Sequence, residues 1–263
     1  MKSTNLICNV KFIDDTCQKF TVPRKAYGSL LMNLIKTHLS LRECIYFGLY
    51  HIGQYLFSQK NSFLPDQEIK WMNLNKPLRK QFSEKIFYLQ FAVKYYIEFP
   101  YLIQDESVMY NYFLQCKKNL LTNKYSSISF NDHVYLTSLA IHSDYGDFGF
   151  NSVNMEEVKS TFFLSSFQDF DAVRRQSEHL TGTPPHISEQ QFLKIISDFD
   201  DYAFWKFPIR NSADNIGHIY VNFAGIIVYS FQFKPIPLKW LFANLTRMRS
   251  TNRGILEFGK FFF

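Results

Sequence analysis

At 263 residues the chain is long enough for one large domain or two to three small ones, and its 46% hydrophobic and 18% aromatic content excludes a disordered polymer. No apolar run is long enough to cross a bilayer, and MKSTNLICNVKF at the N-terminus lacks the apolar segment and cleavage site of a secretory signal, so a cytoplasmic protein is expected. The net charge of +6, on 20% charged residues, conceals a strong segregation by region.

Leu6 to Phe12 and Cys17 to Val22 flank Asp14-Asp15 and read as a hairpin stopped by Pro23. Leu30, Leu31, Leu34, Ile35 and His38 then recur at spacings of three and four, which predicts a helix with one apolar stripe. Glu43 to Ile52 and Ile86 to Tyr96 are aromatic-rich and read as strands, with a hairpin and long loop expected over 51–70. This order fits a small β-grasp fold, as in ubiquitin. The stretch WMNLNKPLRKQF at 71–82 could be a binding patch, a linker or ordinary structure. Within a β-grasp, Trp71, Leu74 and Leu78 pack inward as a strand leading into a turn, Pro77 fixes the bend, and Lys76, Arg79 and Lys80 are held outward.

From about residue 104 the period becomes helical. Asp105 is an N-cap for a helix carrying Met109, Tyr112, Phe113, Cys116, Leu120 and Leu121. A second helix runs from Phe130 to Tyr145 and closes at Gly146; residues 153–180 are mostly helical; Gly182-Thr183-Pro184-Pro185 breaks the pattern. Ser188-Glu189-Gln190-Gln191 fits a capping box for a last helix bearing Phe192, Ile195, Ile196 and Phe199. After Asp201 strands return at 203–209, 219–223 and 225–229, with a turn at 211–215, and an antiparallel meander runs to GILEFGKFFF. The expected domains are therefore 1–97, 98–201 and 202–263. Their net charges are +8, −8 and +6.

Several local motifs in this order resemble the FERM module, named for protein four-point-one, ezrin, radixin and moesin. Tyr46-Phe47-Gly48-Leu49 is similar to that family's E-x-FGL strand, and Trp71 through Gln81 to its W-L-D-x-x-K-x-I-x-K-Q segment. Tyr112-Phe113-Leu114-Gln115 through Lys118 resembles the F-L-Q-x-(K/R) helix, Ala140 through Phe148 the A-x-x-A-x-x-GD-(Y/F) helix end, and Gly225 through Tyr229 the third lobe's G-(I/L)-x-(V/I)-(Y/F) strand. The resemblance implies an α+β multidomain fold: a ubiquitin-like lobe, an all-helical bundle like acyl-CoA-binding protein, and a partial β-sandwich of the PH/PTB type. The third region stops at about sixty residues, short of the family's further strands and closing helix, so a C-terminally incomplete, soft third lobe with an exposed Phe261-Phe262-Phe263 is expected.

By the same resemblance the basic first and third lobes share the face turned to the membrane. Lys76 stands where the family places part of a phosphoinositide site; Asn73 stands where ezrin-like members have lysine, and Pro77 replaces a second basic residue. The candidate lipid-binding residues are Lys76, Arg79 and Lys80 in the first region and Arg247, Arg249 and Arg253 in the third. Expected partners are anionic phospholipids at the inner membrane surface, cytoplasmic tails of membrane proteins, and cytoskeletal proteins. The alternative is the targeting module of a FERM-containing tyrosine phosphatase or kinase.

Catalytic and metal signals are weaker than these. Cys8, Cys17, Cys44 and Cys116 lie far apart, with no CxxC and no His at metal spacing, and read as buried thiols in a reducing compartment. Asp147-Phe148-Gly149 copies a kinase tripeptide without the glycine-rich loop, strand lysine or H-R-D motif that phosphoryl transfer requires, and reads as a helix end. His133 and His142, with Asp132 and Asp144 beside them, lack the spacing of a helical zinc pair. GxSxG, the Walker loop, HExxH and HCxxxxxR are all missing from the sequence. A non-catalytic chain without cofactor or metal is expected. Nucleic acid is not an expected partner, because the basic regions carry neither an aromatic RNA-binding strand motif nor a helix-turn-helix.

Overall fold

The computed structural model describes residues 5–59, 69–82, 86–122, 124–125, 128–148, 167–199, 201–210, 216–229, 238–241, 245–250 and 256–260. The turn expected at 211–215, most of the long loop within 51–70, the stretch 153–166, Arg253 and the terminal Phe261-Phe262-Phe263 lie outside the described residues.

β1 (Asn5–Lys11) and β2 (Cys17–Pro23) form the expected hairpin, in register from Asn5↔Pro23 to Lys11↔Cys17. Asp15 takes the tight turn at φ 65°, a conformation that Asp tolerates better than most residues. β1 runs parallel to β4 (Ile86–Val93), which pairs antiparallel with β3 (Phe47–His51), giving the sheet order β2-β1-β4-β3. Alternation shows in β1, where Leu6, Cys8 and Val10 are buried, whereas the central strand β4 is buried without a break from Leu89 to Val93.

Helix α1 (Gly28–His38) lies where the period places it but turns a different line inward. Gly28, Leu31, Met32 and Ile35 are its buried residues, whereas Leu30 and Leu34 are 40% and 38% exposed. Apolar residues at 30, 31, 34 and 35 span more of the helix than one sheet can cover, so periodicity alone cannot say which line wins. The hairpin read over 51–70 also changes. Gly53 caps a one-turn helix α2 (Gln54–Ser58) instead. Within 71–82 the strand expected of Trp71 onward is reduced to two isolated bridges, Trp71 to Tyr50 and Pro77 to Tyr27, and Leu78–Gln81 form the short helix α3.

The helical region holds α4 (Glu106–Leu121), α5 (Phe130–Tyr145), α6 (Phe167–Glu178) and α7 (Pro185–Ser197). Asp105 caps α4 as expected, accepting the Val108 N–H at 2.8 Å. Gly146 closes α5 at φ 67°, ψ −158°, a region reserved for glycine. The capping box is not used: α7 begins at Pro185, three residues before Ser188. Proline suits the first helical position because its missing N–H would have no partner there. Tyr112, Phe113, Leu136, Leu139, Ala140, Val173, Phe192 and Ile196 form the bundle core, with the Phe113 and Phe192 rings edge to face at 5.0 Å.

The described parts of 1–63, 70–95 and 99–202 form one compact unit; those of 64–69, 96–98 and 203–263 form another. In the second unit, β5 (Trp205–Arg210), β6 (Ile216–Val221), β7 (Gly225–Tyr229) and β8 (Leu238–Leu241) make an antiparallel meander. β9 (Leu245–Ser250) and β10 (Leu256–Lys260) make a separate hairpin.

Candidate functional site

The basic turn of the first lobe is built on a backbone whose groups are largely hydrogen-bonded. Asn73 Oδ1 accepts the Asn75 N–H at 2.9 Å, a local turn that Asn favours. Gln81, from α3, straps the turn from below: its Oε1 accepts the Asn73 N–H at 2.7 Å, and its Nε2 donates to the carbonyls of Asn73 at 2.8 Å and Lys76 at 3.0 Å. The Gly28 and Ser29 N–H groups at the start of α1 donate to Lys76 O at 3.2 Å and Leu74 O at 2.9 Å. These are N–H groups that a helix cannot satisfy internally, so the turn and the helix end complete each other.

Close approach explains two glycines. A Cβ on Gly28 would lie 3.0 Å from Leu74 Cα and 3.1 Å from Asn73 O. A Cβ on Gly48 would lie 2.7 Å from the Trp71 ring. The two first-lobe motifs therefore meet physically, with Trp71 seated on Gly48 and edge to face with Tyr50 at 5.3 Å. Met72 and Leu78 are buried, whereas Trp71 and Leu74 are half-buried. The inward anchors are thus Met72 and Leu78, and Trp71 serves as a lid over β3.

With the scaffold held this way, Lys76, Arg79 and Lys80 are all exposed on one short turn. The structure also brings up two cations that sequence reasoning missed. The Leu78 N–H donates to Ala26 O at 2.9 Å and Tyr27 bridges to Pro77, which places exposed Arg24 and Lys25 on the strand of backbone beside the turn. None of these five side chains forms an ion pair among the described residues. The sequence signal for Arg24 and Lys25 is a stretch from residue 16 to 42 that contains no Asp or Glu. In the second unit, Arg247 and Arg249 belong to β9, opposite Gly259 and Glu257 of β10.

Lobe one and the helical bundle share a polar seam. Asp15 Oδ1 receives Lys118 Nζ at 2.9 Å and Lys11 Nζ at 3.1 Å. Lys11 also donates to Gln59 O. Burial pulls the Lys118 ammonium below its ordinary pKa, and Asp15 opposes that pull. Gln115 Oε1 accepts the Val93 N–H at 3.3 Å, so the F-L-Q-x-(K/R) motif is the α4 side of this seam.

A second polar cluster joins the ends of α5 and α7. His142 Nδ1 lies 3.0 Å from Ser188 Oγ, and its Nε2 lies 3.0 Å from Asp147 Oδ1. The Asp147 carboxylate also accepts the Gly182 N–H at 2.9 and 3.0 Å. The hydrogen bond from His142 and then that from Gly182 hold the Asp147 carboxyl below the usual carboxylate range. Ser188 is fully buried, so the arrangement offers no nucleophile to solvent. Asp147 of the kinase-like tripeptide is a corner bond between helices, and no three His, Cys, Asp or Glu among the described residues are placed to hold a metal. Of the four cysteines expected to be buried, Cys8 and Cys116 are, with thiols pushed up to about 12 as inert core thiols are, whereas Cys17 at the start of β2 is exposed and Cys44 is half-buried.

Residues 10–84 match the FERM N-terminal domain and residues 98–205 the FERM central domain. The chain belongs to the FERM family. Human tyrosine-protein phosphatase non-receptor type 4 is 30% identical over 243 residues, 90% of this chain and 25% of the phosphatase. Mouse FERM, ARHGEF and pleckstrin domain-containing protein 2 is 25% identical over 243 residues, 91% of this chain and 22% of that protein. The chain thus spans about a quarter of the length of these relatives. Among solved structures, the complex of the FERM and C-terminal domains of Drosophila Merlin superposes with a TM-score of 0.73 at 20% identity, covering 94% of this chain and 83% of that one. This likeness shows the FERM fold: a ubiquitin-like lobe, a helical bundle and a third, β-rich lobe.

Proposed function

We propose that this FERM chain is a non-catalytic adaptor that docks on the anionic inner surface of the plasma membrane and links cytoplasmic tails of membrane proteins to cortical cytoskeletal or signalling partners. The observation that carries the reading is the hydrogen-bonded basic turn, with Lys76, Arg79 and Lys80 exposed and Arg24 and Lys25 beside them. Each such cation near an anionic leaflet contributes about 1 kcal/mol, so five supply about 5 kcal/mol before ordering costs. Arg247, Arg249 and Arg253 are the third-lobe candidates for the same role. No helix among the described residues is long and apolar enough to cross a membrane, which suits peripheral attachment.

Protein partners are proposed on two grounds. β5 and β8 are the outer strands of the described meander, and an extended tail can add a strand at such an edge. The Merlin structure has a FERM domain in complex with a C-terminal domain, which supports protein segments as ligands of the fold. The second reading, a targeting module of a tyrosine phosphatase, is favoured by the 30% identity to the human phosphatase across 90% of this chain. Both readings use the same docking surface. Sedimentation with phosphoinositide-containing liposomes at two salt concentrations tests it: binding that weakens with salt is expected, and binding that is absent or indifferent to salt contradicts it.

A further inference from the structure

The sheet of lobe one holds α1 by Leu31, Met32 and Ile35, so the line flanking them at Leu30 and Leu34 faces outward. On that outer line Leu30 and Leu34 lie one turn apart and are 40% and 38% exposed, and Tyr27, the extended N-cap residue just before the helix, is 50% exposed. Single exposed apolar residues are ordinary, but three grouped over the first turns of one helix and its cap make a patch. This patch starts at the basic turn: Tyr27 bridges to Pro77, and the next N–H, that of Gly28, donates to Lys76 O. Residues 16–42 and 69–83, which carry α1 and the turn, contain nine Lys or Arg and no Asp or Glu. Apolar residues and cations on chain segments that contain no acid match the chemistry of an interfacial membrane element.

We propose that the outer line of α1 and the basic turn form a two-part surface for an anionic phospholipid bilayer, in which the cations meet the headgroups and Tyr27, Leu30 and Leu34 enter the acyl boundary. This rests on the membrane-docking reading and adds to it an apolar component that salt does not screen. A nucleic acid would satisfy the cations and leave the leucines in water. A bilayer satisfies both, and the outer position of the leucines, with Leu31 and Ile35 already serving the core, is then explained.

The test uses the full chain and vesicles of phosphatidylcholine with phosphatidylserine. The unaltered protein is expected to bind strongly at low salt and to keep a residual partition at high salt. Leu30→Ser/Leu34→Ser is expected to lower the residual partition at least about tenfold while still unfolding in one cooperative transition, because the core line of Leu31, Met32 and Ile35 is untouched. As an independent readout, the indole introduced by Leu34→Trp is expected to shift to the blue on binding and to be quenched by brominated acyl chains. Equal partition of the double-serine variant and the unaltered protein at both salts, with an unquenched indole, would overturn insertion while leaving electrostatic docking standing. Failure of the unaltered protein to bind at low salt would overturn both. A blue shift produced by soluble polyglutamate and not by vesicles would assign the surface to an acidic protein and overturn the proposal.

Discussion

Lys118 and Asp15 tie the first lobe to the bundle through a short ion pair whose partners are 10% and 17% exposed in their side chains. Orphaning a buried charge costs about 3–5 kcal/mol, but Lys11 still faces Asp15 when Lys118 is removed, so Lys118→Ala is expected to cost less, about 1–3 kcal/mol, read as a lower urea midpoint. The α5–α7 cluster sets two pH responses of opposite sign. Asp147 is held below its usual 3.8, so its contribution is complete above that value and is lost as pH falls through its lower folded value. Burial raises the Glu189 carboxyl above its usual 4.5, against the Ser143 hydroxyl, so its contribution is present below 4.5 and fades as pH rises through the raised value. Melting temperatures across acid to neutral pH are expected to show a flatter acid limb for Asp147→Asn and a flatter limb above 4.5 for Glu189→Gln. Ser188 shows why this cluster was hard to read: the Ser-x-x-Gln pattern of a helix start is present, but the hydroxyl faces His142, forty-six residues away.

At the scale of elements, what was legible depended on how local the cause was. Asp105 and Gly146 mark helix ends through their own backbone neighbourhood, and both were readable. The inward line of α1 was not, because the choice between Leu30/Leu34 and Leu31/Met32/Ile35 is made by the sheet beneath. Arg24 and Lys25 join the basic turn only through the Leu78 to Ala26 hydrogen bond, a contact that no spacing in the chain announces. The turn itself depends on Gln81. Gln81→Ala removes an acceptor and two donor contacts and is expected to cost about 1–3 kcal/mol, seen as a lower melting temperature. Gly146→Ala is expected to cost a similar amount, about 1–3 kcal/mol, purely from backbone strain, since a Cβ there meets nothing within 4 Å.

Across the whole molecule, the alternation of +8, −8 and +6 was visible in the sequence once helix and strand periods separated the regions. The structure gives that alternation a local meaning in lobe one, where the cations stand on a turn braced by α1 and α3. FERM motifs mark the joints that hold this arrangement: Gly48 under Trp71, and Gln115 and Lys118 across the seam. The central claim is that this braced turn attracts anionic membrane. It is tested most directly by comparing the unaltered chain with Lys76→Glu/Arg79→Glu/Lys80→Glu in vesicle sedimentation across a salt series. The account predicts that the unaltered chain loses affinity as salt rises and that the triple variant starts weaker, by about a hundredfold or more at low salt, with a shallower salt slope. Equal affinity and equal slope for the two proteins would contradict it.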